Sequence, residues 1–114
     1  MTQEQINDFF ESIKYELSQA EKFTPNFCDV FNNAESIYDR EGLILKNKIS
    51  INRIKEFLDE VKEKGAVQIL SKKVNEAELS FYKGEYKHCL KELAQCGSVI
   101  LRMMDFVSGR IQND

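Results

Sequence analysis

The sequence is short of the residues that break a chain into strands and turns: of 114 positions, 1 is proline and 5 are glycine. Sandwiches, barrels and disulfide scaffolds need frequent turns, so this scarcity points to helices. Histidine occurs once, at His88, and tryptophan is absent. A structural zinc site wants several His or Cys ligands, and nucleophilic catalysis wants a base within hydrogen-bond reach of its nucleophile. His88 adjoins Cys89, and neighbouring side chains on a helix diverge by about 100°, so the two do not face each other. The glycines at 42, 65, 84, 97 and 109 are all isolated, which excludes a glycine-rich phosphate loop. Three cysteines, Cys28, Cys89 and Cys96, cannot all pair within one chain. Cys89 and Cys96 share one helical face but lie beyond disulfide reach, so reduced thiols acting as small core residues are expected. No apolar run approaches the roughly 18 residues that cross a bilayer, and the opening Met-Thr-Gln-Glu-Gln lacks the basic and apolar regions of a secretory signal. A cytoplasmic protein is the expectation.

What is present suits one globular domain: hydrophobic residues make up 42%, aromatics 11% and charged residues 31%. At this length folding hides roughly two-thirds of the unfolded surface, enough for a core without metal or disulfide staples. The net charge of −3 gives no general attraction for nucleic acid or an anionic membrane. It is unevenly spread. Residues 1–42 carry 3 basic and 9 acidic side chains, residues 43–73 carry 8 and 4, and residues 74–114 carry 5 and 6.

Hydrophobic spacing predicts about five helices. In the first, Ile6, Phe9, Phe10, Ile13, Leu17 and Ala20 recur at helical intervals, and Thr2 with Gln5 forms a capping box that starts it. Thr24 and Pro25 open a second over about 25–41, with a stripe of Phe27, Val30, Phe31, Ala34, Ile37 and Tyr38 and Gly42 as its stop. Residues 43–50 fit a short helix, a connector or part of a hairpin. Ser50 is read as the cap of a third helix over about 51–64, with Ile51, Ile54, Phe57, Leu58 and Val61 inward and Gly65 closing it. A fourth covers roughly 66–83, with Val67, Leu70, Val74, Ala77 and Phe81, and Gly84 breaks it. The last runs from Glu85 to about Val107, with Tyr86, Cys89, Leu90, Leu93, Cys96, Ile100, Leu101 and Met104 inward, Gly97 at a close helix approach, and Ser108 and Gly109 at its end. The expected fold is an all-α antiparallel bundle in one domain, residues 1–109, followed by a frayed tail, residues 110–114.

Two stretches carry family resemblances. Asn75 to Cys96, NEAELSFYKGEYKHCLKELAQC, resembles most of one tetratricopeptide-repeat unit: small Ala77, the turn Lys83-Gly84-Glu85-Tyr86, then Cys89, Leu90, Leu93 and Cys96. It departs from the repeat at Ser80, where an aromatic is usual, lacks a closing proline, and has no second copy 34 residues away, so the resemblance implies one helical hairpin rather than a solenoid. More distantly, Asp59, Glu60 and Glu63, with Glu92-Leu93-Ala94-Gln95 and the following Val99 to Asp105, resemble the two acidic motifs of the all-α nucleotide pyrophosphohydrolases. That resemblance implies magnesium held by Glu60, Glu63 and Glu92 at a nucleotide's phosphates. Gln95 stands where the family has an aspartate, and the spacing to Arg102 does not fit, which implies a weakened or lost site. Acidic pairs at such spacing also arise readily on solvated helix faces.

With so little catalytic equipment, the expected function is non-enzymatic: an adaptor or regulatory protein that binds another protein through helical surfaces, with a homodimer first among the assemblies and no cofactor. Phe10 beside Phe9, Phe57 beside Leu58, and Phe106 beside Val107 widen three apolar faces, and Met103 with Met104 offers an adaptable surface, so Phe10, Phe57, Met103 and Phe106 are the candidate interface residues. Lys46, Lys48, Arg53 and Lys55 could face phosphates. They are offset by Glu56, Asp59 and Glu60 and lack interleaved aromatics, so nucleic-acid binding is not expected.

Overall fold

The computed structural model describes residues 1–23 and 39–112. They form four helices: α1 (Gln3–Phe23), α2 (Arg40–Glu60), α3 (Ala66–Tyr82) and α4 (Tyr86–Gln112). Among the described residues there is no strand, and no helix is long and apolar enough to cross a membrane. The chain divides into two compact units, Met1–Asn33 with Leu101–Asp114, and Ala34–Ile100. The helix expected over 25–41 lies outside the described residues except at its end, where the backbone is already starting α2.

The first unit holds α1 and the last turns of α4. The backbone N–H of Thr2 donates to Gln5 Oε1 at 2.7 Å while that of Gln5 donates to Thr2 Oγ1 at 3.1 Å, a reciprocal capping box that satisfies free amides at the helix start. No residue of α1 is buried. α4 continues through Ser108 and Gly109 to Gln112 instead of stopping there. A mid-helix glycine costs only about 1 kcal/mol, too little by itself to end a helix.

The second unit is an α2–α3–α4 arrangement with α4 contributing its residues up to Ile100. α2 begins earlier than expected. Asp39 is its N-cap and accepts from the Gly42 backbone N–H at 2.7 Å, so Gly42 sits in a first turn and ends nothing, and Ser50 lies mid-helix. The stripe that faces the unit runs from Leu43 through Asn47 to Leu58. Asn47 fits it because its Nδ2 donates to the Leu43 carbonyl at 2.9 Å. At the other end the helix stops at Glu60, Lys64 Nζ donates to the Leu58 carbonyl at 2.6 Å, and Gly65 is the N-cap of α3. Arg40 Nε donates to the Tyr82 carbonyl, which places the start of α2 beside the end of α3 and makes the pair antiparallel. Both contacts put a cation on a helix C-terminus, where the macrodipole favours it.

The turn from α3 to α4 is as expected. Gly84 has φ of 77°, the Glu85 N–H donates to the Ser80 carbonyl at 2.9 Å and the Gly84 N–H to the Phe81 carbonyl at 3.0 Å, the bonding of a Schellman motif. Tyr86 packs back on Phe81, ring centroids 5.5 Å apart.

Gly97 contradicts the close approach expected of it: a Cβ built there meets nothing within 4 Å. Gly97→Ala should therefore stabilise the fold by about 0.5–1 kcal/mol in urea unfolding through helix propensity alone. Gly84→Ala, forced into the left-handed region, should destabilise it by about 1–2 kcal/mol. Equal effects at the two positions would contradict this description of the turn.

Candidate functional site

The distinctive feature of the second unit is how α4 divides its apolar residues. Ala77 of α3 is fully buried at 0% exposure, and Cys89 and Cys96 of α4 are buried, so small residues make up part of this unit's interior. Between the two cysteines on the same face lies Glu92, which is also buried. Ser80 Oγ donates to Glu92 Oε1, and exposed His88 places its Nε2 3.7 Å from the same oxygen. A buried carboxylate is tolerable only when its oxygens are bonded, and Ser80 does this from the facing helix. Among the described residues no buried side-chain polar atom lacks a partner.

The larger apolar residues of α4 stand on the adjoining face. Tyr86, Leu90, Leu93 and Ile100, all expected inward, are exposed, Leu90 at 68%. With Gly97 they keep four- and three-residue spacing, the alternation by which one helix seats against another. Lys87 and Lys91 flank Leu90. Sequence reading places Cys89 and Cys96 inward, where they are buried, but puts Tyr86, Leu90, Leu93 and Ile100 with them, because hydrophobicity does not count Glu92 as core. The signal that marks the exposed face is the row of small and paired residues beside it: Cys89, Glu92 and Cys96 at intervals of three and four.

In the first unit, Ser12, Ile13, Glu16, Leu17, Ala20 and Met104 line an open groove of about 370 Å³. Phe10 on α1 and Val107 on α4, in the same unit, are also exposed. The candidate interface residues fall at different levels. Phe10 and Phe57 are each 47% exposed and Phe106 is 65% exposed, with Arg110 stacked 5.0 Å over its ring, whereas Met103 is half-buried. Phe57, also expected inward, points outward because the inner stripe of α2 ends on Leu58.

The acidic motifs are placed otherwise. Glu60 ends α2 exposed, Glu63 is exposed in the link that follows, and Glu92 is committed to Ser80. Among the described residues no three His, Cys, Asp or Glu side chains come together as a set that could hold a metal ion. The thiols are equally unsuited to act as nucleophiles. Burial, with the Glu92 carboxylate adding to it, pushes the Cys89 thiol above its usual 9.0; burial pushes Cys96 up as well, with Lys73 opposing and Glu92 reinforcing.

No protein family, curated protein or solved structure matches this chain.

Removing the donor to Glu92 should be costly. Ser80→Ala should lower stability by about 1–3 kcal/mol in urea unfolding. Ser80→Ala combined with Glu92→Leu should lose less than the two single changes summed, because the orphaned carboxylate goes too; strict additivity would contradict the pairing.

The raised thiols predict an alkaline weakness. The folded chain holds these protons more tightly than the unfolded one, so their contribution is complete below pH 9.0 and is lost as pH rises above it. The thermal midpoint should fall above that pH, and less steeply in the Cys89→Ala/Cys96→Ala variant; parallel profiles for the two proteins would contradict it.

Proposed function

We propose that this chain is a non-enzymatic interaction protein that binds another protein through helical surfaces, in an adaptor or regulatory role. The observation that carries the reading is the double face of α4. One row, Cys89, Glu92 and Cys96, closes the chain's own hairpin, while the row of larger apolar residues, Tyr86, Leu90, Leu93 and Ile100, stays in water. A helix needs one stripe to fold against its neighbours, and a second contiguous apolar stripe costs solubility unless something covers it. Its period suits a partner helix laid alongside, with the flanking lysines favouring an acidic approach face. The buried free thiols suit a reducing, cytoplasmic setting. The likeness of Asn75–Cys96 to a tetratricopeptide-repeat hairpin points the same way, since such hairpins present helix faces to partners.

The test pairs binding with stability. Wild-type chain and a Leu90→Asp/Leu93→Asp variant are used as affinity baits in extract of the source cell. The expected result is a partner held by the wild type and lost from the variant, with the variant's thermal midpoint unchanged or higher. A midpoint drop of several degrees would show that these leucines belong to the core and would contradict the reading. So would hydrolysis of nucleoside triphosphates in magnesium that is abolished by Glu60→Ala or Glu92→Ala, the outcome implied by the pyrophosphohydrolase resemblance.

A further inference from the structure

The first unit supports a more specific inference, which rests on the reading of the chain as an interaction protein: we propose that its exposed apolar face is closed by the same face of a second copy, forming a four-helix bundle from α1 and the last turns of α4 of each copy. α1 is a 21-residue helix without one buried residue. Its apolar side chains Ile6, Phe10, Ile13, Leu17 and Ala20 alternate at four and three residues, and Met104, Val107 and Ile111 on the last turns of α4 repeat that interval. A seam of this period is matched by another helical seam of the same period, and the chain carries two.

Charge selects between the ways two copies can meet. α1 bears Glu4, Asp8, Glu11, Glu16 and Glu21 against Lys14 and Lys22. The α4 turns in this unit bear Arg102 and Arg110 against Asp105. Laying α1 on α1 would bring two acidic helices together. Laying α1 of each copy on α4 of the other pairs opposite signs twice and closes the assembly about one twofold axis. The open groove beside Leu17 and Met104, apolar apart from Ser12 and Glu16 at its edge, then receives apolar side chains of the second copy. The surfaces are self-complementary in period and sign, which an arbitrary foreign helix need not be.

Sedimentation of the full chain from about 1 to about 200 micromolar, the range in which modest interfaces form, tests this. The expected species has twice the 13.3 kDa of one chain. Leu17→Glu and Val107→Glu should each weaken association at least tenfold with helical circular dichroism unchanged, Leu90→Glu on the second unit should leave the dimer intact, and added salt should loosen it. A dimer indifferent to Leu17→Glu and Val107→Glu overturns the proposal. So does a wild-type chain that sediments as one copy throughout, and Leu17→Glu then separates the two claims. An unchanged unfolding midpoint in that variant leaves the face free for a different protein, so only the second copy falls. A collapsed midpoint means the chain covers the face itself, and the first unit drops out of the interaction reading too.

Discussion

The hydrogen bond from Ser80 of α3 to Glu92 of α4 is the constraint from which the rest of the second unit follows. Ala77, Cys89 and Cys96 are buried, and the Ser80–Glu92 bond joins the two helices and fixes which side of α4 is turned inward. Turning α4 by one residue, about 100°, would bring Leu90 and Leu93 inside. Two leucines would then stand on the buried side now held by the smaller Cys89 and Cys96, and overpacking of that kind costs about 1–3 kcal/mol or more. It would also strip Glu92 of its donor. The leucine row is therefore outside because the interior has no room for it, and the apolar outer face is a consequence of the core rather than an accident of the surface.

Local signals in the sequence translate directly where the chemistry is local. The Thr2–Gln5 capping box and the Gly84 turn each depend on residues within a few positions of one another, and both are where spacing places them. α2 was harder to read, since two of its residues have a polar or permissive character that spacing treats as interruption. Asn47 is buried only because it bonds back to the Leu43 carbonyl, and Gly42 is in a first turn only because Asp39 holds its amide. The orientation of α4 was legible only in part: Cys89 and Cys96 are buried as expected, while Leu90 and Leu93, expected beside them, are exposed. Its inward face contains a carboxylate, and the partner that makes this tolerable, Ser80, lies on another helix. Ser80 is also where the sequence departs from the tetratricopeptide repeat, so the position that weakens the resemblance is the one that explains the buried glutamate.

Both units share a pattern: each keeps large apolar side chains in water beside charges of a definite sign. On α4 the flanking residues are Lys87 and Lys91; on α1 the surrounding carboxylates outnumber the lysines. In the proposed interactions such rims would orient and accelerate an encounter, with the apolar rows supplying the affinity. Among the described residues, burial pushes the Cys89 and Cys96 thiols up, and the buried Glu92 carboxylate is bonded to Ser80.

The most direct test of the double-faced helix is methyl NMR of the isolated chain, at a dilution where copies do not associate, in the presence of a soluble gadolinium relaxation agent. The account predicts strong relaxation of the Leu90, Leu93 and Ile100 methyls and protection of the Ala77 methyl. Protection of Leu90 and Leu93 equal to that of Ala77 would mean that α4 is turned the other way, and the reading of its outer row as a binding face would fail with it.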